Sequence, residues 1–265
     1  MAGPTTADRG ARKSAPSGPP RVPRKRKFRF LLPGRRFLLV TLALVVLVVA
    51  AGVWVVYGSK WLRVDTVSTR GTRVLTPRQV TEVAAVPLNT PLMSIDTEGI
   101  AARLRAKLPR IGAVDVVRVW PDEIRLKVTE RKPEVLIEKG GKFIEVDSGG
   151  VRFATVPEAP KGVPLLELDA SRSPSLRRFG PERLEREAVR VAAGLPEVIR
   201  RDTRVVRVSS YDSITLELTG DRTVAWGSSE RGAAKVETLL ALMKTARGAE
   251  HFDVSAPTAP VVSGS

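Results

Sequence analysis

AVDVVRVWPDEIRLKVTER, residues 113–131, carries two extended runs joined at Pro121 and Asp122. In the second run Ile124, Leu126 and Val128 alternate with Arg125, Lys127 and Thr129. One face is apolar and the other polar, as a half-buried strand requires, so the stretch reads as a β-hairpin. Upstream, Ile100, Leu104 and Leu108 recur every four residues after Asp96, whose carboxylate can cap free N–H groups, and Pro109 stops that helix. An earlier helix opens at Thr76, with Pro77 at the first helical position, Gln79 placed for a capping box, and Leu75 and Val80 spaced as a hydrophobic staple. Val80, Val83 and Ala84 keep helical spacing until Pro87. Residues 61–71 precede it, with Leu62 and Val64 alternating toward Gly71, and read as a strand. The order strand, helix, helix, strand, strand describes a sheet that buries one face under both helices.

Before this module lies an uncharged apolar run, FLLVTLALVVLVVAAGVWVVY, from Phe37 to Tyr57. As a helix it is about 31 Å long, the hydrocarbon thickness of a bilayer. Thirteen of its residues are Leu or Val, which favours insertion, and it is predicted to be a transmembrane helix. A cleaved signal peptide fits less well, because the run continues past the small residues Ala50, Ala51 and Gly52. Arg24, Lys25, Arg26, Lys27, Arg29, Arg35 and Arg36 lie upstream, against Lys60, Arg63 and Arg70 downstream. The positive side stays in the cytoplasm, so everything after Gly58 is expected outside. Residues 1–36 hold eleven basic side chains and one acid, hence ten of the sixteen net positive charges. Residues 1–23 carry almost no large apolar side chains, and residues 1–36 are expected to be a disordered basic cytoplasmic tail. Charge concentrated there answers to topology and anionic lipid, with nucleic-acid binding by the tail as the alternative.

The order of elements after the anchor resembles a POTRA domain, and its details resemble the version in the FtsQ/DivIB division proteins. The matching text is V-x-T-V-x-x-x-G at residues 64–71, PLMSID at 91–96, Arg103-Leu104 with Leu108-Pro109, and above all RVWPDEIRLKVTERKPE at 118–134. Thr72 departs from the pattern, where family members often have Asn.

Downstream, residues 135–137 open another strand, and FIEVDSGGVRF gives strand, turn and strand around Asp147, Ser148, Gly149 and Gly150. That hairpin resembles the V-D-x-x-G-V hairpin following the POTRA domain in the same family. VPLLELDAS is a strand candidate, and residues 172–178 read as loop. Leu184, Ala188, Val191 and Leu195 hold helical spacing from Pro181. Three strands follow at 205–209, 214–218 and 223–226, with turns at Tyr211-Asp212 and Gly220-Asp221, an antiparallel meander. A helix capped by Ser228 or Ser229 then runs to Gly248 with the stripe Val236, Leu239, Leu240 and Met243, and residues 251–255 form the last strand. The predicted fold is α+β: a transmembrane helix at 37–57, a POTRA domain at 61–131, an antiparallel β domain with flanking helices at 133–256, and a flexible tail at 257–265.

The chain has no cysteine, so neither disulfides nor thiolate metal sites are available. His251 is the only histidine and lies in no motif; no HExxH, SxxK with its partners, or phosphate-cradling loop occurs. Glu182 and Glu185 sit among Arg183 and Arg186 as an ion-pair face. No catalytic, cofactor-binding or metal-binding residue is expected. The resemblance implies a non-enzymatic division scaffold in the cell membrane, enriched at the septum. Its implied partners are bitopic proteins of the FtsB and FtsL kind, and through them the septal wall synthase. A POTRA-bearing component of a protein-export machine is the alternative. Partner binding is expected by β-augmentation at the last strand, Phe252, Asp253, Val254, Ser255 and Ala256, because nothing later reads as a strand to cover it and Pro257 limits its length. Ala256 stands where the family often has an aromatic residue.

Overall fold

The computed structural model describes residues 34–169 and 180–264. The tail over residues 1–33 and the loop at 172–178 lie outside the described residues. α1, Arg35–Gly58, is a helix of 24 residues with no buried side chain, two residues earlier and one later than expected. Among the described residues it is the one helix long and apolar enough to cross a membrane. A helix suits that role because it pairs its backbone groups internally where water is absent.

The next module contains β1 (Thr66–Arg70), α2 (Pro77–Ala84), α3 (Thr97–Lys107), β2 (Ile111–Val119) and β3 (Glu123–Glu130). Its sheet has the order β1-β3-β2, with β1 parallel and β2 antiparallel to β3. β1 starts later than the alternation of Leu62 and Val64 suggests, because Lys60–Leu62 forms a 3-10 turn capped by Ser59. The capping box is present in full: Thr76 accepts from the Gln79 N–H at 3.2 Å and Gln79 accepts from the Thr76 N–H at 2.9 Å. Asp96 caps α3 by accepting from the Gly99 N–H at 2.9 Å. Val80, Leu92, Ile100, Leu104, Ile124 and Leu126 close the core between helices and sheet. After β1 the chain turns at Gly71, where φ is +89° and an added Cβ would stand 2.0 Å from the Val128 carbonyl oxygen.

The loop that follows is held by one carboxylate. Glu130 accepts from the backbone N–H groups of Arg73 and Leu75, both at 2.9 Å, and of Val74 at 3.1 Å. Burial opposes its ionisation, but the N–H groups of Arg73, Leu75 and Val74 outweigh that and hold the carboxyl below its ordinary 4.5. A depressed folded-state value means stabilisation that is present above about pH 4.5 and lost as pH falls through the folded value. Glu130→Gln is therefore expected to cost about 1–2 kcal/mol at neutral pH, with the gap to wild type shrinking in acid. Urea unfolding at both pH values measures it.

The second module contains β4 (Val135–Lys139), β5 (Lys142–Val146), β6 (Arg152–Val156), β7 (Leu165–Leu168), α4 (Pro181–Gly194) and α5 (Glu197–Asp202). It continues with β8 (Thr203–Ser210), β9 (Ser213–Leu218), β10 (Thr223–Gly227), α6 (Gly232–Thr245), β11 (His251–Asp253) and β12 (Val261–Ser263). The nine strands form one sheet in the order β12-β11-β10-β9-β8-β7-β4-β5-β6. The β8-β9-β10 meander is antiparallel as expected. The sheet as a whole is mixed, because β4–β7, β7–β8 and β10–β11 pair in parallel. Parallel neighbours need a crossover, and α6 supplies it between β10 and β11. Leu184, Ala188 and Val191 on α4 pack on Val206, Val208 and Leu216 in the main core. Residues 131–134 alone separate β3 from β4. Across that junction the Arg110 guanidinium pairs with the buried Glu145 carboxylate and lies 5.1 Å from the Phe153 ring centroid, while Arg131 pairs with Asp147.

Candidate protein-interaction edge

The last strands of the second sheet correct two expectations. Of the strand expected at 252–256, Phe252 and Asp253 lie in β11 while Val254, Ser255 and Ala256 follow it, and β11 is not at the edge. β12 pairs antiparallel with it, matching His251 to Ser263, Phe252 to Val262 and Asp253 to Val261. The segment 257–265, expected as a flexible tail, thus contributes the terminal strand, which closes β11's open ladder and lets Val262 pack against the core. Phe252 and Val254 are fully buried core residues, while Asp253 is half-buried and Ser255 and Ala256 are exposed. Of the expected residues, then, only the last two present side chains to solvent. The outermost backbone belongs to β12, with Val261 projecting at 57% exposure. β12 escapes sequence reading because three residues between Pro260 and Gly264 show no alternation.

β11 is held from behind by β10. The Val254 N–H donates to the Ala225 carbonyl at 3.0 Å, and the Thr223 N–H to the Glu250 carbonyl at 2.7 Å. The Thr223 hydroxyl and His251 Nδ1 lie 2.7 Å apart. Beyond β11, Asp253 accepts from the Ser255 N–H at 2.9 Å. The Ser255 hydroxyl, opposed by burial and joined by that N–H, holds the Asp253 carboxyl below the usual range. Ser255 also presses on Gly227, where φ is +74° and an added Cβ would sit 2.8 Å from the serine Cβ.

α6 braces the same corner, though not by the expected serine cap. Its N-cap is Arg231 in the left-handed region with no side-chain cap bond, and the Ser229 hydroxyl donates to Glu187 instead. Leu239 is buried, and Val236, Leu240 and Met243 pack against the core as the stripe predicts. The sequence reading missed Lys235, which is 1% exposed. Its ammonium donates to the carbonyls of Trp226 at 2.8 Å and Ser228 at 2.7 Å, tying α6 to the end of β10. Its position four residues before Leu239, on the apolar face, was the available signal. Burial first, then the Arg231 charge, pulls its pKa below 10.5. Lys235→Met removes two charge-assisted bonds and is expected to cost about 1.5–3 kcal/mol in urea unfolding. Because the unfolded chain holds that proton more tightly, the gap should widen as pH rises from the folded value toward 10.5.

The FtsQ-type POTRA domain model matches residues 62–131. The cell division protein FtsQ of Streptomyces venezuelae is 59% identical over 270 residues, covering 100% of this chain and 99% of the relative. This chain belongs to the FtsQ family of cell division proteins. FtsQ of Streptomyces coelicolor is 58% identical, with 100% of both chains covered. Among solved structures, the extracytoplasmic domain of the division protein DivIB from Geobacillus stearothermophilus aligns at 14% identity and a TM-score of 0.33, covering 45% of this chain and 97% of that one. No group of three or more His, Cys, Asp or Glu side chains among the described residues is placed to hold a metal ion.

Proposed function

We propose that the chain is a non-enzymatic scaffold of the division machinery, anchored by α1 with its N-terminus in the cytoplasm and its two folded modules outside. The observation that carries this reading is full-length identity of 59% to a cell division protein, combined with a helix able to span a membrane. The charge asymmetry about α1 supports the orientation. Its partners in this reading are bitopic division proteins of the FtsB and FtsL kind, which connect it to the septal wall synthase. Partner binding is assigned to the β11–β12 end of the sheet. There β12 is the terminal strand and its outer N–H and C=O groups face away from the ladder, so a partner segment can add to it while Phe252, Asp253, Val254, Ser255 and Ala256 form the platform behind.

A fluorescent fusion imaged in dividing cells tests the cellular role, with enrichment at septa expected. Uniform membrane signal would return weight to a protein-export role for the POTRA module. A reporter attached after Ser265 tests orientation and is expected to be active outside the cytoplasm.

A further inference from the structure

We propose that the end of the POTRA module next to α1 is a lipid-contact surface, with Trp61, Leu88, Met93 and Trp120 resting in the headgroup layer. Outside α1, the large apolar residues that stand exposed among the described residues are these four and Val74, Val151, Val198 and Val261. The four are 44–72% exposed and include two tryptophans. They come from three separate stretches of chain.

The backbone draws those stretches to one end of the module. The Val64 N–H donates to the Thr90 carbonyl at 2.9 Å, and the Asn89 N–H donates to the Val64 carbonyl at 2.8 Å. Arg63 and Pro91 form an isolated bridge. The Asp65 N–H reaches the Asp122 carbonyl at 2.9 Å, which brings the Trp120 turn beside the same strand start. Arg118 then donates to the carbonyls of Leu92 at 3.0 Å and Ile95 at 2.6 Å, fixing the Met93 turn against β2.

The occupant follows from chain reach. Six peptide steps separate Gly58, the last residue of α1, from Val64, so this end lies no more than about 21 Å from the end of the helix. Any copy with α1 in a bilayer therefore holds Val64, the strand start around which the three stretches gather, within that distance of the helix end. Tryptophan rings favour the headgroup layer, and the stem of Lys60 can lie along it with its charge in water, while the Arg63 guanidinium is held on the Asn89 carbonyl at 2.9 Å. Asp65 and Asp122 balance those two cations, so the contact is apolar in origin and insensitive to salt.

The test uses the full chain in nanodiscs of mixed zwitterionic and anionic phospholipid. No native cysteine competes for label. A nitroxide at Met93→Cys is compared with one at Val74→Cys, which is exposed in the Gly71–Leu75 turn held by Glu130, at the far end of β1. The expected result is a severalfold higher ratio of oxygen to nickel-chelate collisions at position 93 than at 74, unchanged by about 0.5 M salt. Adding Trp120→Ser should lower that ratio about twofold, since a ring that prefers the interface is removed. Equal ratios at the two positions would overturn the proposal. So would a label at 93 shielded from both reagents, the mark of a protein neighbour. The experiment depends on α1 spanning the bilayer but not on the division role, so failure of septal enrichment would leave its outcome intact.

Discussion

Gly71→Ala is expected to leave the POTRA module unfolded under conditions where the wild-type chain is folded. The turn after β1 needs φ of +89°, which an L side chain rarely adopts, and the new methyl would sit 2.0 Å from the Val128 carbonyl oxygen. That atom belongs to the backbone of β3, the central strand, so neither side can yield without breaking the β1–β3 ladder. A cost on the order of 4 kcal/mol takes up much of the stability of a small domain. Amide exchange resolved by segment measures it. Residues 66–130 should lose protection while β8, β9 and β10 keep theirs, and protection retained throughout would show that the turn relaxes cheaply.

The second large effect concerns partner capture. Val254→Pro removes the N–H that donates to Ala225 and places a ring in a fully buried position directly after β11. A loss of about 3 kcal/mol at this corner detaches β11 and, with it, β12. Under the proposed function, capture of the FtsB- and FtsL-type partners should then fall more than tenfold, with the POTRA module intact by amide exchange. Capture at wild-type strength would remove the β11–β12 end from consideration as the docking edge.

What the sequence reveals and conceals follows from the range of the forces involved. The Thr76–Gln79 capping box, the Asp96 cap and the alternation through β3 are local, and each is read from neighbouring residues and found in place. The parallel pairings of the second sheet are non-local, and nothing in VPLLELDAS indicates that β7 lies between β4 and β8. α5, six residues directly after Pro196, is too short to show a periodicity and is not legible in the sequence. At the candidate edge, a strand beginning near Phe252 is legible, although it ends at Asp253 rather than Ala256, and its neighbour β12 is not. Sequence patterning marks Phe252 and Val254 as strand residues; it does not distinguish a paired strand from an open one. Lys235 was hidden for a related reason: its burial depends on two carbonyls that the fold of β10 places over it.

The junction between the modules has a mechanical side. Two guanidinium–carboxylate pairs and a four-residue connection leave little slack between the first sheet and the second. Under the docking proposed at β12, a tug on that strand would be passed along the ladders and across Arg110 and Arg131 rather than absorbed by a hinge. The two folded modules would then move together rather than swing about a loose linker.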